Sequence, residues 1–400
     1  MANNPSGQAA IVAAAEADQI GYLESPKTDM MLGIEAIYNV CREAGISTKD
    51  IEGIANPGNA NGYAEYLGIV PKWVDTTAVG GCSFQIHVAH MLAGINAGMF
   101  DIGVIVNGQA GYSRRNFPRG AGGGGGGDAL GPDAQFVSPY GTTGAPSQYS
   151  HAMTRHMHQY GTTKEDFAEI AVNTRQWAML NPRAVMHSKE TNPNGGPITV
   201  SDVLNSRLIS WPLNLLDVCL VTDHGGAVLV ASKERAKSFR KPPVWVAGAG
   251  EAIGHSTMLE MKDFTATSAV ASAGRAYKMA GMGPSDMEMA MIYDSFTLTV
   301  GITIEMLGLT KRGEFASLVK NGNTAPGGKF PMNTNGGGLS FNHSGMYGMQ
   351  LLVEAYRQLS GTAEDGIHGL PGKQTNANTC IVNGTGGTLS ATGTLVLTRD

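Results

Sequence analysis

Three short blocks occur twice in this chain, in the same order, once in its first third and once in its last. Ala44-Gly45-Ile46 with Asp50-Ile51-Glu52 returns as Ala280-Gly281-Met282 with Asp286-Met287-Glu288. Gly80-Gly81-Cys82-Ser83-Phe84 returns as Gly337-Gly338-Leu339-Ser340-Phe341, and Ile105-Val106-Asn107-Gly108 returns as Ile381-Val382-Asn383-Gly384. Each block matches loosely, but chance seldom preserves the order of three. The pattern reads as a duplicated α/β unit whose equivalent loops lie across a pseudo-twofold axis. Where equivalent positions differ, Cys82 against Leu339 and residues 343–347 against their first-half counterpart, something other than folding has broken the symmetry.

The spacing of apolar residues supports two similar halves. Residues 9–15 suit a buried strand, and Met30, Ile34, Ile37 and Val40 give helical spacing to residues 29–44, with Gly45 placed to cap the helix. Strands at 51–54 and 102–106 flank a buried helix at 87–98. The second half repeats the scheme with a strand at 244–249, a helix at 268–280, a strand at 289–293, a helix at 348–359 and strands at 380–383 and 393–398. Such alternation predicts sheets covered by helices. The expected domains are 1–112 plus 212–238, an insertion at 113–211, and 239–400. Within the insertion, residues 120–127 are nearly pure glycine and read as a mobile loop. Residues 151–160 and 164–180 read as helices, the second capped by Thr162 or Thr163, and the whole segment as a lid over the cleft or, alternatively, as a decorative excursion.

A net charge of -5 and a pI near 6.1 argue against nucleic acid or an anionic membrane as partner. Arg114, Arg115 and Arg119 form the one local basic cluster, read as a solvated loop in preference to an anion site. No run of about 18 apolar residues is present, and the N-terminus lacks the order of a signal peptide, so a cytoplasmic protein is expected. Four widely spaced cysteines make neither a disulfide framework nor a metal knuckle, and no metal site is expected.

Candidate chemistry gathers in a few places. Cys82 stands between a glycine-bearing loop and a helix start, where backbone N–H groups and the helix dipole lower a thiol pKa; the alternative is a free cysteine filling a small buried pocket. Residues 335–348 put the His343 imidazole and the Tyr347 phenol in a glycine-rich turn before a helix, where backbones approach a ligand and a neutral His exchanges protons near pH 7. Tyr293, followed by Asp294, closes a strand at the end where α/β sheets bind ligands, either as oxyanion donor or proton carrier, or as the cap of a core strand. Asn383-Gly384-Thr385-Gly386-Gly387 reads as a glycine turn whose free N–H groups can hold developing negative charge, or as an ordinary tight turn. Cys41 and Cys219 read as core, and His87 and His90 as core or surface histidines.

These motifs resemble those of the thiolase superfamily. Gly80-Gly81-Cys82, Tyr293-Asp294-Ser295-Phe296, Asn342-His343-Ser344-Gly345 and Gly384-Thr385-Gly386-Gly387 are similar to its nucleophile, Asn-Glu-Ala-Phe, Gly-His-Pro and terminal glycine motifs, in the right order over nearly the whole chain. The likeness is to the acetyl-CoA acetyltransferase branch related to sterol carrier protein thiolases, which includes benzoylsuccinyl-CoA-type thiolases and steroid side-chain retro-aldolases. The resemblance implies a duplicated five-layer αβαβα fold with a lid insertion in the first half, a CoA thioester substrate, and no tightly bound cofactor. It also implies a homodimer core joined by a small zinc-ribbon and OB-fold subunit into a heterotetramer or larger.

The first expectation from this resemblance is thiolysis of a 3-oxoacyl-CoA, with a bulky or aromatic acyl group compatible with the long insertion and the methionine content. Cys82 would attack the 3-oxo carbon and form an acyl-enzyme, and His343 with Tyr293 would stabilise the enolate. The Cys82 amide and residues 384–386 would hold the tetrahedral oxyanion. The family's second cysteine would be Cys380, which precedes Gly384 by four residues where two before a glycine is usual. Other departures are Tyr293 for the usual asparagine, Ser344 for the proline, and Tyr347 where a small residue is common. Counting back without a gap from Ile95, Gly98 and Asp101 also puts the nucleophile position on Gly81, one residue before Cys82. They support a rival of the same fold, a cysteine-independent retro-aldolase acting on a 3-hydroxyacyl-CoA through Tyr293 and Tyr347 with His343 beside them. A non-catalytic acyl-CoA-binding or scaffold subunit is the third expectation.

Overall fold

The computed structural model describes residues 4–116, 130–142, 144–363 and 372–399. The glycine run 120–127 and Arg119 lie outside the described residues. In chain order the strands are β1 (Ala9–Glu16), β2 (Gly53–Ala55), β3 (Trp73–Asp75), β4 (Ile102–Ala110), β5 (Leu208–Ser210), β6 (Leu213–Asn214), β7 (Asp223–Ser232), β8 (Val244–Ile253), β9 (Met289–Ile292), β10 (Thr379–Gly386) and β11 (Ala391–Thr398). Nine of them join in the order β3-β2-β4-β7-β1-β8-β11-β10-β9, and β5 pairs with β6 apart. β1 meets β8 through Ala10 opposite Trp245 and Ile11 opposite Val244. Outward from that junction the two sides match, β1-β7-β4-β2 on one and β8-β11-β10-β9 on the other, with β3 unmatched.

The repeat in the sequence is a repeat of register. Asn107 and Gly108 lie opposite Gly226 and Gly225 of β7, and Asn383 and Gly384 lie opposite Thr394 and Gly393 of β11. Gly45 and Gly281 end the helices Asp29–Ala44 and Ala269–Ala280 with φ of 73° and 67°, a left-handed cap that suits glycine.

Side chains alternate across each half-sheet, and the apolar clusters divide accordingly. Ile34, Ile37 and Val40 cover the outer face of the first half against Val12, Val104 and Leu229. Ala273, Ala276 and Tyr277 cover the outer face of the second against Ile381 and Val396. Between the inner faces lie the helices Ser83–Asn96 and Gly348–Ser360, whose Val88, Leu92, Leu352 and Tyr356 meet Ile105, Val230, Val382 and Leu395. These are the five layers, αβαβα. Ser83 to Val88 are buried on every side, so the first helix carries no amphipathic pattern at its start and begins four residues before the expected 87.

The insertion supplies the helices Gly144–Tyr160 and Lys164–Met179, the second capped by reciprocal bonds between Thr163 and Asp166. It leaves the first half but packs on the second: Tyr149, Met153, Phe167 and Ile170 join Phe296, Ile302 and Phe315. One expectation about the backbone is corrected here. Residues 384–386 are not a turn, because the ladder with β11 continues through Gly384, Thr385 and Gly386, opposite Gly393, Thr392 and Ala391. Glycine content alone suggested a break; pairing with an antiparallel neighbour overrides it. The turn starts at Gly387, and Leu389 follows with a φ of 57°.

Candidate active site

The site is built where β9 ends. Tyr293 N–H donates to the Asn383 carbonyl at 3.0 Å, prolonging the β9–β10 pairing by one residue. The Asp294 carboxylate then accepts from Gly338 N at 2.7 Å and from Leu339 N at 3.2 Å, tying the strand end to the second glycine loop. Gly337 has to be glycine: its φ is +62°, and a Cβ there would stand 2.0 Å from Asp294 Oδ2. From that loop the chain makes a wide helical turn, Gly337–Phe341, and presents His343 and Tyr347 before the helix Gly348–Ser360 begins.

Tyr293, His343 and Tyr347 therefore converge. Ring centroids lie 5.8 Å apart for Tyr293 and His343, 5.9 Å for Tyr293 and Tyr347, and 6.2 Å for His343 and Tyr347. The hydrogen bonds assign the histidine tautomer. Gly345 N–H donates to His343 Nδ1 at 3.3 Å, so the proton sits on Nε2, which donates to the Tyr293 oxygen at 3.1 Å. Tyr347 N–H donates to the same oxygen at 3.1 Å, and Tyr293 O–H donates to the Gly345 carbonyl at 3.3 Å. Tyr347 O–H donates to Asn335 Oδ1 at 2.7 Å, and Gly337 N–H fixes that amide from the other side at 2.9 Å.

Burial sets the protonation states. It holds His343 neutral, with its pKa pushed down to about 4. Burial also drives the phenols of Tyr293 and Tyr347 well above their ordinary value, opposed at Tyr293 by the Tyr347 amide and at Tyr347 by Asn335. Asp294, cut off from water, is pushed up to about 7 in spite of its two backbone donors.

Gly81 faces this cluster. A Cβ at Gly81 would stand 2.2 Å from Tyr293 Cε2, so the ring fills the space a side chain at 81 would need. Backbones close in from the other side: a Cβ on Gly80 would meet Gly387 N at 2.7 Å, and one on Gly384 would meet Cys82 Cα at 2.7 Å.

The structure does not bring the two candidate cysteines into the cluster. Cys82 Sγ contacts the Val79 carbonyl at 3.6 Å and packs with Ile86, Ala391 and Val79. Burial pushes its thiol up to about 12, so desolvation outweighs the helix start that was expected to activate it. Cys380 lies at the start of β10 opposite Met289 and Leu397, inside the middle layer, with its thiol also raised by burial. Asn383 spends its amide on Thr394 Oγ1 at 2.8 Å, and Thr385 is buried in the ladder. Cys219, expected in the core, is half-buried, and its N–H donates to the Ser295 carbonyl at 3.0 Å. His87 is buried against the Thr77 carbonyl, and His90 lies between Asp75 and Glu251.

Two residues of the site carried no signal that sequence reading used. Asn335 stands inside the glycine-rich stretch but looked like part of the turn. Tyr149 comes from the insertion: its hydroxyl donates to the Gly387 carbonyl at 3.1 Å and its ring lies 4.5 Å from Phe296.

Comparison with known proteins bears on this geometry. Residues 250–399 match the family described as "Thiolase C-terminal domain-like". The chain is 31% identical over 375 residues to the "Steroid side-chain-cleaving aldolase" of Thermomonospora curvata, covering 90% of this chain and 92% of the relative. The chain belongs to the thiolase superfamily. This thiolase-superfamily chain is also 29% identical over 383 residues to the "17-hydroxy-3-oxo-4-pregnene-20-carboxyl-CoA lyase" of Mycobacterium tuberculosis, covering 91% and 95% of the two. Among solved structures, "Ltp2-ChsH2(DUF35) aldolase" superposes with a TM-score of 0.84 at 28% identity, over 99% of this chain and 98% of that one. Thiolase-like processing of CoA thioesters is the activity class of the chain. No helix among the described residues is long and apolar enough to cross a membrane.

Proposed function

We propose that this protein is a retro-aldolase that cleaves a 3-hydroxyacyl-CoA without a covalent intermediate. The observation that carries this reading is the ring of Tyr293 against Gly81, where the ungapped count placed the nucleophile. A thiol at Cys82, buried beside Val79 and raised to about 12, is a poor attacking group. The reaction needs two proton transfers and a place for one negative charge. A base takes the proton of the C3 hydroxyl, the C3–O bond becomes a carbonyl, and the C2–C3 bond breaks with its electron pair passing into the thioester as an enolate. Protonation of C2 completes a ketone and a shortened acyl-CoA, with no free CoA consumed.

Tyr293 is the base in this scheme. Burial opposes its ionisation, and the His343 Nε2–H and the Tyr347 N–H that both point at its oxygen offset part of that cost once its proton has left. The Cys82 thiol, bonded to the Val79 carbonyl, has no such pair of donors among its described contacts. Tyr347, kept protonated by burial and oriented by Asn335, gives its own proton to C2, and the proton taken up by Tyr293 is exchanged back to Tyr347 through solvent as the products leave, which restores the starting state. Coenzyme A enters as part of the substrate. A homodimer core with a small zinc-ribbon and OB-fold subunit is the assembly that goes with this reading; the solved aldolase, whose name includes a DUF35 component, supports the small partner.

The test is product analysis. The purified protein, with and without a DUF35-type partner, is given a 3-hydroxyacyl-CoA whose C3 is a tertiary alcohol. Ketone and shortened acyl-CoA should appear in equal amounts without free CoA. A strict requirement for free CoA, together with an acyl adduct on Cys82 by intact mass, overturns the proposal in favour of thiolysis.

A further inference from the structure

A cavity of about 300 Å³ opens beside the turn that follows β10. Phe136, Tyr140, Met258, Leu259, Met261 and Phe264 make its apolar wall. Phe136 is 60% and Tyr140 85% exposed, so these two side chains of the wall stand open among the described residues. The lining also has a polar part, and it borders the turn beside the 80–81 loop. Gln148 lines the cavity, and its Oε1 accepts from Thr388 Oγ1 at 2.8 Å. The next helical residue, Tyr149, donates to the Gly387 carbonyl, and Gly387 N lies 2.7 Å from where a Cβ on Gly80 would stand. Through Gln148, Tyr149 and the turn at Gly387 the cavity is thus two packed neighbours away from the 80–81 loop that faces Tyr293.

The lining selects the occupant. No lysine or arginine is among the described residues of the lining, and its polar side chains are already engaged, Thr142 with His151 and Gln148 with Thr388, so no fixed cation there complements the phosphates of CoA. Aromatic faces and two flexible thioethers instead suit a flat apolar ring system, and the volume is at the lower bound for small-molecule pockets. We propose that this cavity binds the apolar, ring-bearing end of the acyl group, the part that leaves as the ketone. The inference rests on the retro-aldolase reading only for the fate of that fragment; the binding itself does not depend on it.

The experiment uses two thioesters that lack a C3 hydroxyl and are not cleaved, 2-naphthylacetyl-CoA and acetyl-CoA, titrated calorimetrically into the full-length protein. The wild type should bind the naphthyl thioester at least about tenfold more tightly. Met261→Trp, which fills the cavity, and Leu259→Asp, a charge at a half-exposed wall position, should each abolish that preference and leave acetyl-CoA binding unchanged. Leu259→Asp tests the idea even where Met261→Trp disturbs folding. Absence of the preference in the wild type, its survival in the variants, or an equal loss for acetyl-CoA, which would put the CoA moiety in the cavity, overturns the proposal. Failure of the cleavage reaction would show in product analysis and leaves these titrations untouched.

Discussion

The two halves carry the same loop-and-helix junction, yet only one of them is furnished for chemistry. In the first half, Gly80 to Ser83 runs straight into the middle helix Ser83–Asn96, and the residue facing the site is the side-chain-free Gly81. In the second, the equivalent glycines make a wide turn and six further residues, with His343 and Tyr347 among them, precede the helix Gly348–Ser360. One half supplies room, and the other fills it with an imidazole and two phenols. The duplication therefore gives a frame in which one copy can lose its side chain because the other gains several.

The sharpest way to break this asymmetry is to remove the phenol that occupies the space. Tyr293→Phe should lower kcat for C2–C3 cleavage by about 10²–10⁴-fold with a small change in KM, measured by ketone release. A fall of only a few-fold would place the base elsewhere. Restoring a side chain on the empty half comes next. Gly81→Cys should lower cleavage roughly 100-fold, because its Cβ displaces the Tyr293 ring, and should create no thiolase activity. Thiolysis by that variant, followed by CoA consumption, would show that the ring is not what separates the two chemistries.

A milder probe is Cys82→Ala, which should leave kcat unchanged and cost about 1 kcal/mol of stability for the small cavity in the Val79, Ile86 and Ala391 cluster. Loss of turnover in a folded variant would return the thiol to the mechanism. The remaining probe is read in stability alone and concerns the strut between the halves of the site. Asp294 is raised by burial to about 7, whereas in the unfolded chain it titrates near about 3.9. Between those values the native state binds the extra proton, so its contribution to stability is greatest at the acid end and declines as pH rises towards about 7. Asp294→Asn should flatten that slope in denaturant titrations across this range. An unchanged slope would mean that another group is responsible.

Much of the frame could be read from residues alone. Helical spacing located Asp29–Ala44 with both ends, and the blocks ending in Gly108 and Gly384 fall in matching register. Legibility failed where burial on all sides erased periodicity, as at Ser83, and where a strand partner distant in sequence overrode glycine content, as at residues 384–386. In the site, Tyr293, His343 and Tyr347 were identifiable by their place at strand and loop ends. Tyr149 and Asn335 were not, because a hydrogen bond to Gly387 or to Tyr347 spans a distance in sequence that no local pattern records.

By itself the sequence determined the duplication, the alternation of strands and helices, and the family of motifs, since each follows from order and short-range spacing. Only the tertiary structure decided which way Cys82 points. One residue of offset at a helix start turns a side chain through about 100°, from the Tyr293 cluster at position 81 to the Val79 pocket at position 82. That angle is fixed by the packing of the helix Ser83–Asn96 between two sheets, and it is what keeps the Cys82 thiol out of the Tyr293, His343 and Tyr347 cluster.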